Sequence, residues 1–188
     1  VPDTYMMHTF TTGGMCLRWF RDEFCQQEID IQNVTGIDAY DLLGKEAELV
    51  PAGSDGLITL PHLQGSMAPD VNLNAKAVFY GATLQHKKAH FIRSIMESLG
   101  YIISRNIEAI DAMGLEISQI RTIGGGSKSD IWNQIKADIT GKKLYTTYSS
   151  QDTACLGSAI LAGVAAGIFE SIESACNSMI RIKKEYIP

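Results

Sequence analysis

No two of the four cysteines, Cys16, Cys25, Cys155 and Cys176, stand at a CxxC spacing. That sets aside a zinc site or a redox dithiol and points to a reduced, cytoplasmic chain. No basic stripe interleaved with aromatics occurs. Sixteen Lys and Arg against 21 Asp and Glu give a net charge of −5, which argues against nucleic acid as a partner. No apolar run reaches the ~20 residues a membrane span needs, so no membrane partner is expected. The most apolar stretch, 154–169, is too short. No signal peptide is evident, so the sequon at Asn33-Val34-Thr35 reads as chance. No internal repeat or low-complexity segment stands out. The first residue is Val1 rather than Met, which reads as a fragment or a processed chain.

What is present is ordinary globular material, 45% hydrophobic and 20% charged. Its length suits one domain with a sizeable core. The organising stretch is Arg121 to Trp132. Residues 116–123 alternate as a buried strand does. Gly124, Gly125 and Gly126 follow, and Ile131, Ile135 and Ile139 then share one helical stripe beside Trp132. The pattern is strand, glycine turn, helix. Three glycines permit positive φ and close approach of a ligand. Ser127 with Asp130 resembles a box that starts a helix. Helix N–H groups and the positive dipole end then face whatever lies over the glycines, a place for phosphate or nucleotide. The spacing is neither that of a P-loop nor of GxGxxG, and a ligand-free tight connection fits the same pattern.

Residues 5–12 read as a strand, ended by Gly13 and Gly14. Met15 to Gln27 has Cys16, Trp19, Phe20 and Phe24 at helical spacing, a second unit of the same kind. Between Glu28 and Gly56 a short helix is expected over 39–47 and loop elsewhere. Residues 57–63 read as a strand that Pro61 ends or pushes to an edge, and 64–77 is a long loop. Lys88 to Met113 carries a continuous apolar stripe and reads as one long helix, with Gly100 inside it. His86 and His90, four apart, read as helix-start residues rather than a metal pair, since no third ligand is evident. Residues 142–148 form another strand. Asp152 and Thr153 cap a helix over 154–169, rich in small apolar residues and expected to be buried. A last amphipathic helix is expected over 174–184. The order implies an α/β fold with a parallel or mixed sheet.

Laid out together, these pieces resemble the C-terminal domain of the FGGY carbohydrate kinases, especially xylulokinase-like members. Tyr80-Gly81-Ala82 with His90 to Glu97 follows the family's second signature. Gly124 to Ser129 matches its glycine loop, and Gln151 to Gly163 its small-residue helix. Gly13 to Trp19 resembles its earlier adenine-nucleotide turn. The resemblance implies an actin-like (ribonuclease H-like) ATPase fold, apparently without its first strands, forming one nucleotide-binding lobe over residues 1–188. It implies transfer of the ATP γ-phosphate, with Mg2+, to a sugar hydroxyl, a xylulose-like ketose being favoured. Gly14, Arg18, Gly125, Gly126, Ser127 and Ser129 are implied to line the nucleotide pocket, with Lys128 close by. The family's catalytic Asp, phosphate hairpin and sugar-binding N-terminal lobe match nothing here. No catalytic residue is therefore named, and this chain alone is expected to be inactive. Gly65 to Pro69 departs from the family's Gly-Glu-Arg-x-Pro, with Ser66 and Met67 in place of the Glu-Arg pair. Asn72 to Ala77 departs from Asp-Pro-Asn-Ala-Arg-Gly. These departures leave room for a different reading, an actin-like nucleotide-binding module that acts through a partner without phosphorylating sugar. The strand over 5–12 would present an open edge, for which a homodimer is one covering.

Overall fold

The computed structural model describes residues 13–188. The expected strand over 5–12 and its edge lie outside the described residues. The chain divides into two compact units, up to Ile117 and from Ser118 onward, each taken by itself below.

The first unit opens with three helices: α1 (Met15–Phe24), α2 (Gln26–Thr35) and α3 (Ala39–Glu48). Helix α1 forms as its spacing predicts, burying Cys16, Leu17 and Phe20. Phe24 instead stays 57% exposed, although its ring lies 5.1 Å from that of Phe20. Helix α2 corrects the expectation of loop. The sequence hides it because its aliphatic residues make no continuous stripe, and Ile31 and Val34 are exposed. An ion cluster holds it instead. Lys88 donates to the buried carboxylate of Glu28 and lies 3.1 Å from Glu46 of α3. Burial is the largest influence on the Glu28 carboxyl and pushes it up, but the hydrogen bond and charge of Lys88, with further hydrogen bonds, together outweigh it and the net direction is down. Burial, joined by the neighbouring Glu28, raises Glu46. Gly36, in the left-handed region at φ 77°, ends α2. Asp38 then caps α3 by accepting from Tyr40 N at 2.9 Å.

Strands β1 (Ile58–Leu60) and β2 (Val78–Tyr80) pair antiparallel, with Thr59 opposite Phe79. Strand β2 was not expected. Pro61 ends β1, and the stretch between the strands is irregular, as expected. The long helix α4 (Lys88–Asp111) buries Ile92, Ile95, Met96 and Leu99, each such side chain contributing about 1.5–3 kcal/mol. Phe20, Phe79 and Phe91 bring α1, β2 and α4 together, with the Phe79 and Phe91 rings 5.3 Å apart. Glu97 is buried on α4. It accepts from Arg93 Nε (2.8 Å), Gly53 N (2.9 Å) and Ser54 Oγ (2.8 Å). That grip holds Ser54 and Asp55, two non-glycine residues at φ 48° and 52°, a conformation that costs energy without such support. His90 Nδ1 accepts from Lys87 N at 3.0 Å at the start of α4, the role read from the sequence.

The second unit contains a three-stranded mixed sheet in the order β3 (Gln119–Arg121), β4 (Lys143–Thr147), β5 (Ile182–Tyr186). Strands β3 and β4 are parallel, joined through α5 (Asp130–Thr140), and β5 runs antiparallel to β4. Ala137, Leu144 and Tyr186 form the core, with Ile120 against it. Helices α6 (Thr153–Ala165) and α7 (Ile172–Met179) pack on each other.

Three expectations fail in this unit. The small-residue helix α6 is not buried: Ile160 and Gly163 are, but Leu161 is 59% exposed and Ala154, Cys155 and Ala159 are also exposed. Asp152 occupies its N-cap position, yet the carboxylate makes no capping bond; Thr153 Oγ1 bonds back to Ser149 O instead. The last helix stops at Met179, capped by Ser171 at its start, and the chain then extends as β5. The charged run Lys183, Lys184 and Glu185 suits the exposed side of a helix equally well. What selects a strand is pairing with β4, where Glu185 accepts from Tyr145 OH at 2.8 Å and pairs with Lys143 at 3.1 Å.

Candidate functional site

The glycine turn leaves the parallel strand β3 and enters α5. Of its three glycines only Gly124 has positive φ (77°), and its N–H donates to Ser150 O at 2.7 Å. Gly125 and Gly126 open a short 3-10 turn, Gly125–Lys128. The freedom to take positive φ is thus used at Gly124 alone. Their value is spatial instead. A Cβ on Gly125 would meet nothing within 4 Å, so Gly125 borders open space. A Cβ on Gly126 would lie 3.5 Å from the Trp132 ring. The turn therefore rests on Trp132 at one glycine and faces outward at the other.

Ser127 does not cap α5, contrary to expectation. It is 5% exposed and its Oγ donates to Gly124 O at 2.6 Å, closing the turn on itself. The cap is Ser129, whose Oγ accepts from Trp132 N at 3.3 Å. Gln151 Nε2 adds a second side-chain bond to Gly124 O at 2.8 Å. The turn's carbonyl is thus occupied from within, while a helix start leaves its first N–H groups without partners inside the helix.

The first turn of α5 is fixed from β5. Buried Asn133 donates to Ser127 O at 2.8 Å, and Tyr186 OH donates to Asp130 Oδ1 at 2.5 Å. Lys184 holds the other Asp130 oxygen at 2.8 Å. Hydrogen bonds from Lys184 and Tyr186 hold the Asp130 carboxyl below its ordinary range. Asp130 is thereby tied to β5 rather than to the turn's N–H groups.

Lys136 escapes a reading by hydropathy. It is 7% exposed, and its Nζ lies 3.2 Å from Thr122 Oγ1 and 5.5 Å from the centre of the Trp132 ring. Burial alone pushes its ammonium down to about 8. Its spacing of four from Trp132 was the available signal.

The structure gathers Gly125, Gly126, Ser127 and Ser129 on this one turn, with exposed Lys128 between the two serines. Gly14 and Arg18 belong to the first unit, at the start of α1. Gly14 sits at the N-cap with ordinary right-handed φ (−66°), while Gly13 before it has φ 23°. Arg18 N donates to Gly14 O at 3.1 Å. The Arg18 side chain is exposed, 3.6 Å from Asp22 one turn on. Among the described residues no group of three His, Cys, Asp or Glu could hold a metal ion, so magnesium has no site built from those residues alone. No helix among them is long and apolar enough to cross a membrane.

Residues 1–166 match the FGGY family of carbohydrate kinases, C-terminal domain. The gluconokinase of Bacillus licheniformis is 39% identical over 86% of this chain and 31% of its own length. The xylulose kinase of Bacillus subtilis (strain 168) is 30% identical over 98% of this chain and 35% of its own. Among solved structures, the ligand-bound xylulose kinase of Lactobacillus acidophilus superposes with a TM-score of 0.76 at 26% identity, over 95% of this chain and 34% of that one. The chain belongs to the FGGY family of carbohydrate kinases, and its fold is the actin-like ATPase fold of that family. It spans about a third of the length of the relatives it matches. These relatives are named as kinases, which lends no support to a module that phosphorylates nothing.

Proposed function

We propose that this chain is the nucleotide-binding lobe of an ATP-dependent sugar kinase. In the second unit the candidate nucleotide contact is the turn of Gly125, Gly126, Ser127 and Ser129; in the first unit Gly14 and Arg18, at the start of α1, are candidates in their own right. The observation that carries the reading is Gly125, a backbone position open on its outer side, on a turn whose carbonyl is already satisfied and whose helix start offers donors. Phosphate oxygens are acceptors that such donors suit, and the helix dipole favours their charge. Magnesium would arrive with the nucleotide phosphates, as it commonly does. Ser127 acts by keeping the turn closed and Ser129 by capping α5, so neither hydroxyl moves a proton in the reaction.

In the whole protein the transfer needs a base for the acceptor hydroxyl and a clamp for the γ-phosphate. The described residues contribute positioning and charge. The sugar is a polyhydroxy compound of the kind its relatives are named for, with gluconate standing beside xylulose as a candidate. The test has two arms. NMR or calorimetric titration of this chain with ADP should shift amides of 124–129. Shifts confined to other surfaces, or no binding, would overturn the nucleotide assignment. For the acceptor, ADP release by the full-length kinase is measured with gluconate, xylulose and glycerol. Turnover with none of them would overturn the substrate class.

A further inference from the structure

Lys136 is a buried titratable group with no part in the nucleotide contacts proposed above. A lysine ammonium has three donors and is almost never fully buried without an opposing charge. Here its surroundings are a hydroxyl, Thr122 Oγ1 at 3.2 Å, and the face of the Trp132 ring. The charged groups on the elements packed against α5 are paired elsewhere or exposed: Lys143 pairs with Glu185 across β4 and β5, and Lys128 is exposed in the turn. Asp130, on the same helix, is held by Lys184 and Tyr186 of β5, and Arg121 of β3 is exposed. No charged neighbour contributes to the lowered affinity of Lys136 for its proton; burial is the whole cause.

The position matters as much as the charge. Trp132 is the ring on which Gly126 rests, and Thr122 lies on the segment that enters the turn, two residues before Gly124. Lys136 thus binds the entry of the turn and backs the ring supporting its middle. We propose that Lys136 is a positioning residue for the nucleotide site, whose ammonium braces the glycine turn through Thr122 and Trp132 and lends it the positive charge that an arriving phosphate answers. This rests on the nucleotide reading above. It adds a charge held behind the turn, where the sequence shows only a helical position.

Linkage gives the proposal a signature that a purely structural lysine lacks. An anion brought toward a cation favours its charged form, raising its affinity for a proton. Nucleotide affinity and Lys136 protonation are then reciprocally coupled. At pH 8 Lys136 is partly neutral, whereas phosphates with a second pKa near ~6 are already ionised. Binding should draw a proton onto the lysine.

The experiment is calorimetry of this chain with ADP at pH 8 in two buffers of different ionisation enthalpy, repeated with Lys136→Met and Lys136→Arg. The expected result is proton uptake with the wild type and none with either variant. Affinity should be about fivefold or more weaker for Lys136→Met, and nearer wild type for Lys136→Arg. Wild-type ADP binding with no proton uptake, or a Lys136→Met protein with unchanged affinity and uptake, overturns the role of Lys136 while leaving the nucleotide site standing. A wild type that binds no ADP overturns both. If Lys136→Met fails to fold by circular dichroism, the wild-type uptake and the Lys136→Arg comparison decide.

Discussion

Lys136 should cost the fold what it lends the site. Its proton affinity falls from an ordinary 10.5 to about 8 on burial, a penalty of about 3 kcal/mol at neutral pH. The unfolded chain holds this proton more tightly. The penalty is therefore complete below pH 8 and is relieved as pH rises toward 10.5. Lys136→Met should raise unfolding free energy by about 1–3 kcal/mol at pH 7 in urea titration, with the gain shrinking above pH 9. A destabilised variant would contradict this. Glu97 is the opposite case, a buried carboxylate with its partners supplied. Glu97→Ala leaves Arg93 without its carboxylate, frees Gly53 N and releases the left-handed Ser54–Asp55 backbone, and should cost about 3–5 kcal/mol. Glu97→Gln should lose less, because the amide oxygen still accepts. Gly125→Val should leave the melting temperature nearly unchanged, since a Cβ there meets nothing within 4 Å. It should weaken ADP binding at least tenfold if phosphate approaches that backbone. Equal affinity would move the nucleotide elsewhere.

At the level of elements, α6 separates apolar sequence from actual burial. Ile160 is 4% exposed and Leu161 is 59% exposed. Ile160→Ala should cost about 2–4 kcal/mol, and Leu161→Gln within about 0.5 kcal/mol, read by chemical denaturation of this chain. Comparable losses at both positions would show α6 to be covered on both sides. The same contrast explains what could be read from residues alone. Helix α4 was legible because one face meets a core and the apolar period shows it; β1 and β4 were legible from their β-forming residues, since β1 buries Thr59 and leaves Ile58 and Leu60 exposed. Helix α2 was not, because an ion cluster with Lys88 holds it and charge pairing leaves no period. Strand β5 was not, because its charged residues find partners only across the sheet. The glycine turn was legible as a place, but not in its working. Gly124 alone takes the unusual backbone, Ser129 rather than Ser127 caps, and the buried lysine behind it has no hydropathic signature.

For the whole molecule, the division near Ile117 has a measurable outcome. Residues 112–116 are all exposed, including Met113, Leu115 and Glu116, and they lie between α4 and β3. Brief digestion with a Glu-specific protease should cut first after Glu116, giving two fragments that mass spectrometry resolves. A first cut within α4 would contradict the division. The second unit also carries an ordering in time. Asp130 and Asn133, at the start of α5, take their partners from Lys184 and Tyr186, more than fifty residues further along. On the ribosome, where earlier segments emerge first, the glycine loop is made early but its helix stays unanchored until β5 has been synthesised. The nascent chain therefore holds an unfinished anion cradle, and ligand capture by that loop should begin only after β5 has left the exit tunnel.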